Sequence, residues 1–125
     1  QRAISTSIRE HGKDYWTGTV YTTNRRVWEH DDEFKEYLIK TKAMAIDMET
    51  ATLFITGFAN KIPVGALLLV SDQPMTPEGV KTEESDKKVS SNFVDDHVDI
   101  GIQSLLEIKE SGRSVKHLRF PYSEE

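Results

Sequence analysis

The chain has 125 residues, 37% hydrophobic and 30% charged, with no cysteine and a formal net charge of -5. These figures fit one globular domain held by a packed core; without cysteine there is no disulfide framework and no thiolate metal cluster, a composition compatible with the cytoplasm but not diagnostic of it. The 21 Asp plus Glu against 16 Lys plus Arg argue against a broad phosphate-backbone-binding face, so nucleic acid is not an expected partner.

The longest apolar stretch, Val64 to Val70, is far too short to span a bilayer, and the opening residues lack a basic-then-apolar pattern. Neither a membrane protein nor a secretory leader is expected. The first residue is Gln1 rather than Met, which suggests a processed, truncated or engineered N-terminus.

From Trp16 to Thr23 the run WTGTVYTT alternates and is rich in β-branched residues, which predicts a strand. Asn24 to Asp32 is a polar loop that leads into EFKEYLIKTK, where Phe34 and Leu38 follow helical spacing. Ala43 to Met48 reads as a short buried strand and Glu49 to Asn60 as a helix stopped by Asn60 and Pro63. Val64 to Val70, VGALLLV, lacks polar alternation, as expected of a parallel strand buried on both faces. Residues 71–86, with Pro74, Pro77 and Gly79, read as an extended and mobile active-site loop. Lys87 to Glu110 reads as one amphipathic helix ending near Gly112, and Ser114 to Glu125 as a tail or docking segment.

This order is the alternation of an α/β domain with helices packed on a largely parallel sheet, whose ligands sit beyond the carboxyl ends of the strands. Asp47 with Glu49, and Ser71 with Asp72, fall at those ends. Beside apolar walls a carboxyl group holds its proton more readily, so Asp72 could act as a general acid on a leaving group; equally, it could cap the turn ahead of Pro74. Glu49 could complement the dipole of its helix with Asp47 as N-cap, or its two oxygens could accept hydrogen bonds from a sugar's vicinal hydroxyls.

Arg25 and Arg26 are candidate phosphate contacts, though adjacent loop arginines are more often simply solvated. Trp28 could stack on a base or pack on the following helix. His11, His30, His97 and His117 show no HxH or HExxH spacing, so no metal site is expected, and there is no GxSxG elbow, P-loop or GxGxxG.

The segment AIDMETATLF (Ala45 to Phe54) resembles the acidic-Met-Glu-x-Ala signature of the purine nucleoside phosphorylase and nucleosidase superfamily, and LLVSD (Leu68 to Asp72) resembles its catalytic Ser-Asp strand end. The run from Ser71 to Lys88 is most similar to the branch of that superfamily that acts on AMP. The resemblance covers Gly18 to about Phe120. It implies the C-terminal half of a three-layer α/β/α domain, with residues 1–125 as part of a single domain whose N-terminal part lies elsewhere.

The reaction it implies is hydrolysis of the N-glycosidic bond of AMP to adenine and ribose 5-phosphate. In that frame Asp72 protonates the purine, Glu49 holds the ribose hydroxyls, Met48 packs on the sugar, Ser71 and Asp47 line the pocket, and Val27 lies beside the base. No metal or cofactor is implied. The superfamily's anion loop and phosphate-holding arginines belong to its first half, so the isolated chain is expected to be inactive, completed by that half within a homo-oligomer and bound to AMP or a purine nucleoside. A purine or uridine nucleoside phosphorylase, and a noncatalytic nucleotide- or protein-binding α/β domain, stay open as alternatives.

Overall fold

The computed structural model describes residues 1–79 and 82–111. Its elements are α1 (Arg2–Glu10), β1 (Thr19–Thr22), α2 (Asp32–Lys40), β2 (Ala43–Asp47), α3 (Thr50–Ala59), a 3-10 turn (Pro77–Gly79) and α4 (Glu83–Glu110). No described helix is long and apolar enough to cross a membrane.

β1, α2 and β2 form a βαβ unit. The two strands pair in parallel, with Val20 opposite Ala45, Tyr21 opposite Ile46 and Thr22 opposite Asp47. Antiparallel strands can be joined by a tight turn, whereas a parallel pair needs a crossover, which α2 supplies. Asp31 starts α2: its side chain accepts from the Phe34 backbone N–H at 2.9 Å, satisfying one of the donors left open at a helix start. With the helix so registered, Phe34 and Leu38 turn toward the sheet and join Trp28 in a buried cluster, backed by Tyr21, Ala43 and Ile46. The Trp28 and Tyr21 rings meet Phe34 edge-on, with centroids 5.9 and 5.6 Å apart. Burial of three such side chains is the main local stabilisation, at roughly 1.5–3 kcal/mol each.

A second contact joins α1 to α4. Ala3, Ser7 and Ile8 are buried on one helix, Ile100 and Ser104 on the other, and Lys13 pairs with Asp96 at 2.7 Å just beyond α1. No sequence pattern marks an element in the first 15 residues; their helix carries only Ala3, Ile4 and Ile8 as apolar residues, at helical spacing among polar neighbours.

Three expectations are corrected. Val64 to Val70 joins no strand ladder among the described residues, and apart from the half-buried Leu67 its residues are exposed rather than buried, Val70 by 60%. An apolar run reports that burial is needed but does not supply the hydrogen-bonded neighbour that makes a strand. α4 begins at Glu83, four residues before Lys87, because Thr82 and Ser85 form a reciprocal capping box that shortens the preceding loop. Glu49 is the N-cap of α3 rather than a first-turn residue. The expected end near Gly112 and the tail from Ser114 lie outside the described residues; α4 closes at Glu110 with Ser111 as its C-cap.

α3 ends as expected at Asn60, and Lys61 then takes a left-handed backbone conformation (φ 56°). The turn folds the chain back so that Val64 lies against Gly57, where a Cβ would collide with the Val64 Cγ2 methyl. Gly57 is the buried position of α3; Leu53, Ile55 and Phe58 are exposed, the last two by 70% and 67%. A helix apolar on all sides is normally covered on all sides.

Candidate active site

Because β1 and β2 run in parallel, both end at one rim, and the segment Asp47, Met48, Glu49 crosses that rim into α3. Asp47 is its anchor. Its Oδ1 accepts from the Thr22 hydroxyl at 2.7 Å, and its Oδ2 accepts from the Thr50 backbone N–H at 2.8 Å and from the Thr50 hydroxyl. Partial burial, the largest single influence, pulls the Asp47 carboxyl upward, but the hydrogen bonds from Thr50 and Thr22 outweigh it and hold the group below its ordinary value of 3.8.

Glu49 and Met48 project outward from the anchor. The Glu49 side chain is exposed and makes no cap bond to α3; its Oε2 accepts only a long bond, 3.3 Å, from the Met48 backbone N–H. Met48 forms part of the wall of a cavity of about 640 Å³, together with Tyr21, Thr22, Arg25, Phe34 and Tyr37. That volume lies within the usual range of roughly 300–1,000 Å³ for small-molecule sites. Neither Glu49 nor Asp72 lines it.

Ser71 and Asp72 are half-buried, and the Ser71 hydroxyl donates to Asp72 Oδ1. They do not follow a strand of the sheet, contrary to expectation, because the preceding run is unpaired. The acid pair Asp47–Glu49 is thus gathered on the rim, while the Ser71–Asp72 pair stands on a separate segment.

The basic and aromatic candidates divide. Arg25 is taken up by protein: its guanidinium pairs with Asp31 at 2.6 Å and lies 4.7 Å from the centre of the Phe34 ring. Arg26 is exposed, and so is Val27, by 75%. Trp28 packs on the following helix; it is 7% exposed and belongs to the core. Lys81, a further basic position that could contribute to a phosphate site, lies outside the described residues.

Thr22 is the site residue that sequence reasoning missed. Its hydroxyl donates to Asp47 and accepts from the Ala51 backbone N–H at 2.9 Å, tying β1 to both β2 and α3. A usable signal was present: in a parallel pair the last residues of both strands share one rim, which makes Thr22 a neighbour of Asp47.

Comparison with known proteins identifies relatives of this chain. The family described as the Phosphorylase superfamily matches residues 1–107. The AMP nucleosidases of Escherichia coli strains K12 and O157:H7 are each 34% identical over 97 residues, covering 77% of this chain and 20% of their own length. The crystal structure of AMP nucleosidase from Bacteroides thetaiotaomicron VPI-5482 superposes with a TM-score of 0.72 at 64% identity, over 88% of this chain and 43% of that one. The chain therefore spans about a fifth of the length of the two sequence relatives and less than half of the solved one.

Proposed function

The chain belongs to the Phosphorylase superfamily, and on that footing we propose that it is the C-terminal catalytic part of an AMP nucleosidase, which hydrolyses AMP to adenine and ribose 5-phosphate. The observation that carries the proposal is the 64% identity to a solved AMP nucleosidase over 88% of this chain.

In this reading Asp72 gives its proton to a purine ring nitrogen, because the base leaves readily only as it becomes neutral. A positioned acid of this kind is worth about 100- to 10,000-fold. As the bond from C1′ to the base lengthens, the ribosyl group gains oxocarbenium character, which the Glu49 carboxylate stabilises electrostatically while accepting hydrogen bonds from the ribose hydroxyls. Met48 packs on the sugar, and Ser71, which donates to Asp72, orients the acid. Water adds to C1′, and its released proton balances the one given to adenine. Val27 and Arg26 are exposed, and they are the loop positions from which the base and the phosphate are approached; Arg25, paired with Asp31, would first have to give up that partner.

The bare apolar surface of α3 and of Val64 to Val70 supports further protein packing on this chain. The preceding part of a longer chain, assembled as a homo-oligomer, would complete the pocket and bring Asp72 to the rim. Product analysis on the full-length protein tests the proposal: adenine and ribose 5-phosphate in equal amounts support it, and adenosine or no turnover of AMP contradicts it.

A further inference from the structure

Helix α3 begins in an unusual way. N-cap positions favour Ser, Thr, Asp and Asn, whose short side chains satisfy the open N–H groups of the first turn. Here the N-cap is Glu49, and its side chain makes no cap bond. The capping is done from the sheet instead: Asp47 Oδ2 takes the Thr50 N–H at 2.8 Å, and the Thr22 hydroxyl takes the Ala51 N–H at 2.9 Å. The two capping groups are themselves joined, Thr22 Oγ1 to Asp47 Oδ1, at 2.7 Å.

Two consequences follow from this displacement. The carboxylate at the N-cap is released from the helix and faces solvent, held only by the 3.3 Å bond from the Met48 N–H. The two residues between the anchors, Met48 and Glu49, are bracketed on both sides: the backbone at Asp47 is fixed in the ladder, where the Thr23 N–H donates to the Asp47 carbonyl at 2.8 Å, and the backbone at Thr50 and Ala51 is fixed by side chains of the same cluster. Asp47 receives three protein donors, leaving it little capacity for a ligand.

We propose that Thr22 and Asp47 are positioning residues: they take over the capping of α3, free the Glu49 carboxylate for the substrate's ribose hydroxyls, and set the preference for ribose over deoxyribose without touching the sugar. This rests on the reading of Glu49 as the ribose ligand and replaces the expectation that Asp47 lines the pocket as a substrate contact.

The lowered proton affinity of Asp47 agrees with a group that stays ionised as a permanent acceptor. Thr22 is also a wall residue of the cavity that Met48 borders, so the cluster at the rim adjoins that cavity.

The test measures kcat/KM for AMP and for 2′-deoxy-AMP in the full-length protein, four single variants and one double variant. Glu49→Gln should narrow the preference for AMP by about tenfold. Asp47→Asn, which replaces an acceptor oxygen by an NH₂ facing the Thr50 N–H, and Thr22→Val, which keeps the shape but loses the hydroxyl, should narrow it by a similar factor. Thr22→Ser should retain it. Combining Asp47→Asn with Glu49→Gln should narrow the preference no further than Glu49→Gln alone. If Asp47→Asn fails to fold, the Thr22→Val and Thr22→Ser pair decides the matter, with melting temperatures as control. A narrowed preference in Glu49→Gln, with Thr22→Val and Asp47→Asn slowing both substrates equally, overturns the positioning role alone. An unchanged preference in Glu49→Gln overturns the ribose reading itself, and the inference with it.

Discussion

Thr22 and Asp47 are the last register partners of the parallel strand pair, and the threonine hydroxyl donates to the carboxylate at 2.7 Å. Because hydrogen bonds from Thr50 and Thr22 leave the folded-state carboxyl below its ordinary 3.8 despite burial, Asp47 contributes stability that is fully present above the unfolded value and lost as pH falls through the folded one. The denaturation midpoint of the wild type should therefore exceed that of Asp47→Asn by a constant margin from neutral pH to about pH 5, and the margin should shrink below 3.8. A margin that persists unchanged into acid would contradict the hydrogen-bond account.

Replacing Asp72 by Asn removes the proposed proton donor but keeps the acceptor for the Ser71 hydroxyl. In the full-length protein, turnover of AMP should fall by about 100- to 10,000-fold at neutral pH, with a much smaller change in KM. Steady-state release of adenine measures this. Wild-type turnover in a folded variant would remove Asp72 from the chemistry.

Trp28 is a core residue, so Trp28→Ala should act on stability before it acts on binding. The cavity left beside Phe34 and Leu38 should cost about 3 to 5 kcal/mol in chemical denaturation. A fully stable variant with weakened AMP affinity would instead place Trp28 against the base.

Thr82→Ala removes one half of the capping box at the start of α4, the Thr82 hydroxyl that accepts from the Ser85 N–H, and leaves the bond from the Thr82 N–H to the Ser85 hydroxyl. A loss of about 0.5 to 2 kcal/mol is expected, read as faster amide exchange over residues 83–86 with little change toward Glu110. Unchanged exchange at that end would show that the box does not hold the helix start.

The parts of the fold that sequence made legible are those where local pattern and tertiary partner coincide. Phe34 and Leu38 repeat at helical spacing and the same two residues meet the sheet, so α2 and its strands were readable. α1 was not, since RAISTSIRE offers three apolar residues among six polar ones and finds its partner only on α4, some ninety residues later. The start of α4 was hidden because its capping box uses Ser85 where Glu or Gln is the familiar signal. Val64 to Val70 shows the opposite failure, a strong strand composition with no strand beside it among the described residues.

At the site, the AIDMET motif located Asp47, Met48 and Glu49 through resemblance, but not their division of labour. Asp47 takes protein donors, one of them from Thr22, 25 residues earlier in the chain, while Glu49 stays exposed. Pairing of strand ends is a tertiary fact that no local window contains.

The most direct test of the central claim is ³¹P NMR of the full-length protein acting on AMP in phosphate-free buffer. Hydrolysis predicts that the AMP resonance is replaced by that of ribose 5-phosphate, mole for mole with free adenine, at a rate that added inorganic phosphate does not raise. Turnover that appears only when phosphate is added, with ribose 1,5-bisphosphate as the product, would contradict it and make the protein a phosphorylase.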